Sequence, residues 1–392
     1  MRNVYADLHV HIGSAGGKAV KITASRKMNL HSVLYEGAPR KGLDMVGIVD
    51  AGSILVSAEI EAMLKTGELR EHPRGGMMAR NGVLLIPACE VESLEGVHLI
   101  IYLPHLKSIK AYQKYMRSRV TNMALSTQKA NVSVAELINL SFVLDGIFCP
   151  AHAFTPHKGV YGVWTRRLAD KLGRDAGHIK ALELGLSADT DMADMIGETR
   201  NYTFLSNSDA HSADNIGREY NLLRMADKNF QELRYCLENK EGRRVLANYG
   251  MDPLMGKYHR SYCTQCSTIS GDEPPIFSCS NCGNEKMVMG VYDRIIEIRD
   301  QQEARHPLGR PPYKYRIPLK DLPGVGPKLK EKLLAFFFDE INILEKASID
   351  DIARVAGENV ASQIARMRVG RLPITPGGGG KYGRVKKEIA RK

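Results

Sequence analysis

Asn3-Val-Tyr-Ala-Asp7-Leu-His9-Val-His11-Ile12 is the stretch whose reading decides the fold. It is an alternating, strand-like run, and because side chains two apart on a strand point the same way, both imidazoles share one face. Working outward, further short apolar runs stand at 43–50, 82–89, 97–102, 146–152, 179–186, 202–206 and 220–225. Between them lie helix-like segments near 26–41, 53–69, 107–125, 133–141, 163–172 and 229–239. Repeated strand-helix units of this kind favour a parallel sheet closed or nearly closed into a barrel, with an open sheet as the alternative.

A barrel demands that polar residues gather where strands end, since those loops build its active face. His9 and His11 close the first run, Asp50 the second, and Glu90 and Glu92 the third. His98 lies in the fourth, His152 ends the fifth, Glu183 sits in the sixth, and Asp209 with His211 follows the seventh. One such histidine alone is more often a satisfied core residue, but together they specify a metal site. Imidazole and carboxylate suit zinc, manganese or iron. One ion takes three or four of these groups, so the number present implies at least two ions sharing a carboxylate. Paired ions about 3.5 to 4 Å apart activate water and stabilise displacement at phosphorus, which makes phosphoester hydrolysis the matching reaction. Asp7 is read as a carboxylate that orients a ligand imidazole from behind. His31, His72, His105, His157 and His178 carry no matching motif.

The C-terminal third has its own chemistry. Cys263-x2-Cys266 and Cys279-x2-Cys282, twelve residues apart, form two knuckles with the spacing of a closed tetrahedral structural zinc. Gly283 would supply a turn, and 292–298 a ribbon strand. Cys89, Cys149 and Cys236 are isolated. Beyond the knuckles, Leu322-Pro-Gly324-Val-Gly326-Pro-Lys328-Leu-Lys330 reads as a turn between two helices and resembles a helix-hairpin-helix. Glycines there let backbone N–H groups approach a phosphate, with Lys328 and Lys330 adding charge. The tail from Gly377 through Lys386 and Lys387 reads as flexible and basic.

The successive strand-end motifs, Asp7-Leu-His9-Val-His11, Gly47-Ile-Val-Asp50, Pro87-Ala-Cys-Glu90-Val-Glu92, Val97-His98, Pro150-Ala-His152 and Ser208-Asp209-Ala-His211, resemble those of the polymerase and histidinol phosphatase (PHP) superfamily. The resemblance implies a distorted (βα)7 barrel. It also implies that His9, His11, Glu90 and Asp209 surround one ion, that Glu90 bridges to a second held by His98 and His152, and that His211 serves a third position. His9, His11, Glu90, Asp209 and His211 would then be the catalytic set. Gly17 and Ala51 stand where the trinuclear pattern often has histidines, so the third ion is either missing or rebuilt from Asp50 and His211. Further runs, His152-Ala-Phe-Thr-Pro156, Glu183-Leu-Gly-Leu-Ser-Ala-Asp189, Arg310-Pro-Pro-Tyr313 and Gly377-Gly-Gly-Gly-Lys381-Tyr382-Gly383, resemble the endonuclease Q family. That likeness implies a DNA repair endonuclease cutting 5′ to a deaminated base (uracil, hypoxanthine, xanthine) or an abasic site. Its substrate would be duplex DNA, with single-stranded DNA as a further partner. Extruding such a base would call for an aromatic wall, with Phe154, Tyr161 and Trp164 as candidates.

Composition agrees with this division. The 392 residues carry 55 Lys+Arg against 44 Asp+Glu, with a surplus of four positive charges in residues 1–250 and seven in 251–392. A polyanion would therefore meet the C-terminal part first. No run approaches the roughly 18 apolar residues of a bilayer span, and the opening run lacks a signal-peptide pattern, so the expected location is the cytoplasm, in association with the nucleoid. The expected parts are a barrel over 1–250, a four-cysteine zinc module over 251–300 and a helical DNA-binding region over 301–392. The expected cofactors are two or three divalent ions (zinc, manganese, magnesium or iron) in the barrel and one structural zinc. The alternatives are a phosphatase of small phosphomonoesters, an exonuclease, and a non-enzymatic DNA-binding scaffold.

Overall fold

The computed structural model describes residues 1–386, so Lys387 of the basic tail lies outside the described residues. The opening run forms β1 (Arg2–Val10), central in a mixed ten-stranded sheet. β2 (Met45–Ile48) and β3 (Leu84–Glu92) continue from it in parallel, as expected of strand-helix units. β4 (His98–Tyr102) then returns antiparallel on β3, and β5 (Ile147–Pro150) antiparallel on β4. The short connection at 93–97 leaves no room for a crossover helix, so the third and fourth strands can only form a hairpin. On the other side of β1 lies antiparallel β8 (Tyr220–Met225), followed by β9 (Arg244–Gly250) and parallel β10 (Tyr313–Tyr315). Among the described residues, β6 (Ala181–Glu183) and β7 (Thr203–Leu205) pair with each other and with no other strand. The wholly parallel ladder expected from the sequence is thus corrected to a mixed one in which the β6–β7 pair is a separate two-stranded unit.

Close packing fixes the register near the site. A Cβ on Gly47 would meet the Leu8 backbone at 2.3 Å, so β2 can lie against β1 only because position 47 has no side chain. Pairing between β1 and β2 is irregular between Asp7 and Val10, an irregularity of the kind that re-aims side chains beside functional sites. His9 lies inside it. Val4, Ala6 and Leu8 share a core with Met45, Leu84, Ile86 and helix Phe230–Leu237. Val46, Ile48 and Leu85 join a second core with Val56 and Ile60 of helix Ile54–Lys65, whose N-terminus is capped by Ser53.

The segment 292–298, expected as a ribbon strand, belongs to helix Val291–Ile298. Val291, Ile295 and Ile298 recur at helical spacing and bury in the strand core. Of the expected helix-hairpin-helix, the second helix forms as Pro327–Phe337. The first is only the single 310 turn Leu319–Asp321, because Pro318 and Pro323 bracket too short a run. Leu319, Leu322, Leu333, Ile352 and Ile364 make a third core with helices Ile349–Ala356 and Glu358–Arg368. The described part of the tail is not free: Ile374–Thr375 pairs with Arg384–Val385, and Gly377 and Gly383 donate N–H to the carbonyls of Leu254 and Met255. Among the described residues, no helix is long and apolar enough to cross a membrane.

Candidate metal centre

His9 and His11 turn their Nε2 atoms to within 3.3 Å of each other. Both remain free for a common ligand because the opposite ring nitrogens are engaged. His9 Nδ1 lies 3.0 and 3.2 Å from the Glu183 oxygens, and His11 Nδ1 lies 3.0 Å from Asp50 Oδ1. A carboxylate behind each imidazole fixes its tautomer and raises its basicity. Burial works against charge on His9, yet Glu183, with Asp209 and Glu90, raises its pKa to about 10.

Glu90 occupies the middle. Its Oε1 is 3.1 Å from His98 Nδ1, 3.5 Å from His152 Nε2 and 3.6 Å from His9 Nε2. Its Oε2 is 3.4 Å from His11 Nε2 and accepts from Thr127 Oγ1 at 2.8 Å. Asp209 Oδ1 closes the cluster at 3.5 Å from His9 Nε2, 3.4 Å from His11 Nε2 and 3.5 Å from His211 Nδ1. Burial would raise both carboxylates, but the charges and hydrogen bonds of the surrounding histidines, with Lys21 beside Glu90, hold them well below the usual range. Burial also lowers His98, and lowers His211 to about 4 with help from His11.

Three overlapping triads result: His9, His11 and Glu90; Glu90, His98 and His152; His11, Asp209 and His211. Within each, the donor atoms lie inside 4.8 Å of one another. This donor set fits divalent ions sharing Glu90 and His11. The backbone carries strain here, with His152 at φ +30, Asp209 at φ +46 and Thr127 at φ +49. Gly185 makes the first tolerable, since a Cβ there would meet His152 Cβ at 2.9 Å.

Several expectations need correction. Asp50, expected as a ligand, faces the back of His11 and accepts from Ile12 N–H and the Ser126 hydroxyl, so both of its oxygens are spent outside the cluster. Asp7, expected behind an imidazole, instead takes the backbone N–H groups of His9, Ser208 and Gly217. Glu183 does what was expected of Asp7, and also accepts from His152 N–H and Asn207. Glu92 pairs with Lys158 at 2.8 Å and stands 3.8 Å from His98 Nε2. Phe154 and Tyr161 are fully buried and stacked on each other at 5.3 Å, with the Tyr161 hydroxyl donating to Glu198, so neither can wall an open pocket. Trp164 packs, partly buried, against the core.

The open space lies elsewhere. A cavity of about 430 Å³ adjoins the cluster, bounded by the segments 20–23 and 125–128 together with the donor residues. Neither segment carries a motif, which is why the sequence is silent on them. Arg218 was also unforeseen: it is buried, donates Nε–H to Ser208 O at 2.7 Å and reaches the Tyr382 hydroxyl at 3.2 Å, tying the Asp209 corner to the C-terminal hairpin.

The four knuckle cysteines converge as expected. Cys263 Sγ is 3.7 Å from Cys282 Sγ, and Cys266 Sγ is 3.5 Å from Cys279 Sγ. A tetrahedron with metal–sulfur bonds of about 2.3 Å has edges of about 3.8 Å, so the set fits one closed four-sulfur site. Gly283 makes the expected turn at φ +72. At the glycine turn, Gly324 (φ +89), Gly326 and Lys328 are exposed. Lys330 instead pairs with Asp214 at 2.7 Å, in the loop following His211.

Nitrogen and oxygen donors gathered at strand ends, with space for a substrate beside them, place the protein among the metal-dependent hydrolases. No family model matches the chain. It is 39% identical over 393 residues to the uncharacterized protein YqxK of Bacillus subtilis strain 168, covering 98% of this chain and all of that one. Its structure is similar to that of the lesion-specific endonuclease PfuEndoQ from Pyrococcus furiosus, with a TM-score of 0.85 and 33% identity over 100% of this chain and 97% of that one. The same TM-score and identity relate it to an endonuclease Q in complex with a 27-mer duplex substrate carrying an abasic lesion at the active site, covering 98% of that chain. The chain belongs to the endonuclease Q family.

Proposed function

We propose that this protein is a DNA repair endonuclease that hydrolyses the phosphodiester on the 5′ side of a deaminated base (uracil, hypoxanthine or xanthine) or an abasic site. The observation that carries the reading is the likeness, along the whole chain, to a lesion-specific endonuclease and to an endonuclease Q holding an abasic duplex. The three overlapping donor triads support it. Two or three divalent ions, of zinc, manganese, magnesium or iron, would be held by His9, His11, Glu90, His98, His152, Asp209 and His211. Such ions activate water near neutral pH and balance charge on the phosphate. The chain's own part is positioning. Glu183 and Asp50 keep His9 and His11 in the tautomer that presents Nε2, and Glu90 serves both halves of the cluster.

Cys263, Cys266, Cys279 and Cys282 would hold one structural zinc, with no coordination position open for chemistry. The parts would divide as 1–250 for hydrolysis, 251–300 for the zinc module and 301–392 for DNA holding. In the last part the exposed Gly324, Gly326 and Lys328 would meet the DNA backbone. Lys330 would join them only by leaving Asp214. The cytoplasm, with its nucleoid, is the matching location.

Labelled duplexes containing uracil, hypoxanthine, an abasic site or no lesion, incubated with divalent metal, test this directly. The expected result is one nick 5′ to the lesion, leaving a 3′-hydroxyl, and none in undamaged duplex. Equal cutting of undamaged duplex, or faster turnover of histidinol phosphate or a nucleotide monoester, would overturn it.

A further inference from the structure

Lys21 has no role in the reading above, yet its ammonium lies at the edge of the donor cluster. Its Nζ is 3.4 Å from Glu90 Oε2, and its side chain is 13% exposed. The backbone holds it there: Lys21 N–H donates to Ile12 O, just beyond His11, and Ser126 N–H donates to Val20 O. The side chain is thereby carried between the β1 end and the 125–128 segment, where it lines the cavity with His11, Asp209 and His211.

A structural ion pair elsewhere in the chain looks different. Lys41 and Glu340 are both nearly buried, and their N···O distance is 2.7 Å. Lys21, by contrast, makes a long contact to an oxygen that already accepts from Thr127 and faces His11. Glu90 is also the carboxylate common to two triads, so its charge is committed to the cluster. Asp50 offers no substitute, because His11, Ile12 and Ser126 use it. An ammonium placed beside a cation-binding cluster, without a carboxylate of its own, is stabilised when an anion enters the cavity. A phosphate oxygen is the matching anion, and lysine binds phosphate as a compact point charge.

We propose that Lys21 is a substrate-contacting catalytic residue that holds a non-bridging oxygen of the scissile phosphate. The proposal rests on the reading of the cluster as a phosphodiester-hydrolysing centre. Full-length wild type, Lys21→Met and Lys21→Arg are compared by single-turnover nicking of an abasic duplex, duplex affinity, metal content per chain, and calorimetric binding of inorganic phosphate to the metal-loaded protein. Lys21→Met is expected to nick roughly 100-fold more slowly, at unchanged metal content and duplex affinity, with Lys21→Arg restoring most of the loss. Phosphate binding is expected to weaken about tenfold in Lys21→Met. Loss of a metal ion together with the rate would make Lys21 only a support for Glu90 and overturn the proposal, as would phosphate affinity equal to wild type. Should the wild type bind phosphate in a Lys21-dependent way yet leave lesion duplexes uncut, the endonuclease reading fails and the role of Lys21 stands.

Discussion

His9, His11, Glu90, His98, His152 and Asp209 reach one another from five separate segments, each at or near a strand end, whereas Cys263, Cys266, Cys279 and Cys282 come from two knuckles inside residues 263–282. The first cluster has carboxylates behind its two central imidazoles and opens on a cavity. The second is a compact set of four sulfurs. A cluster assembled at long range inherits its geometry from packed cores, so it can leave coordination positions open without losing its shape. A local cluster shapes the surrounding chain through the metal itself, so its binding energy is folding energy.

The strongest way to break the comparison is at Asp209. Asp209→Asn is expected to slow nicking on the order of 10³-fold or more while duplex binding stays near wild type, because the cores that shape the cluster do not depend on it. Rapid nicking by this variant would remove Asp209 from the active centre. Cys279→Ser should do the reverse. One metal equivalent is lost and limited proteolysis opens residues 251–290, while the strand-end cluster keeps its metal content. Protease resistance equal to wild type would show that the module does not need its metal to fold.

Glu183→Gln sharpens the first half of the comparison. A neutral acceptor behind His9 should cost about 10 to 100-fold in metal affinity or nicking rate. A change below threefold would demote Glu183 to a packing residue.

The smallest expected effect is at Glu219. Glu219 is fully buried, its Oε1 accepts from Met251 N–H, and burial pushes its carboxyl well above the ordinary range. A carboxyl whose folded pKa is raised favours the fold below its unfolded value near 4.5, and that contribution is lost as pH rises toward the folded value. Glu219→Gln should therefore melt higher than wild type at pH 8 and close to it at pH 4. The same difference in melting temperature at both pH values would refute the buried-carboxyl account.

Much of the candidate site was legible because its chemistry sits at repeating positions. Five strand runs place His9, His11, Glu90, His98, His152 and Asp209 at or near their ends, and the structure brings all six residues together. The spacing of the four cysteines was equally readable, since both knuckles are local. The misreadings share a physical origin. Glu183 stands behind His9 where Asp7 was expected to orient an imidazole, because sequence distance does not show which carboxylate lies behind an imidazole 174 residues away. Phe154 and Tyr161 follow His152 closely, yet the chain turns both rings into the core. Segment 292–298 follows the cysteine knuckles as a ribbon strand would, yet it is helical, and a short run with apolar residues does not by itself distinguish strand from helix.

The sequence by itself determined the donor types, the strand-end positions that hold them, the grouping of the four knuckle cysteines and the excess charge of the C-terminal third. These follow from local spacing and composition. Only the tertiary structure decided which ring nitrogens face inward, that Asp50 stands behind His11, that Lys330 is held by Asp214, and that Lys21 lies beside Glu90. Each of these is a contact between segments far apart in the chain, and close packing of the cores, not local periodicity, selects such contacts.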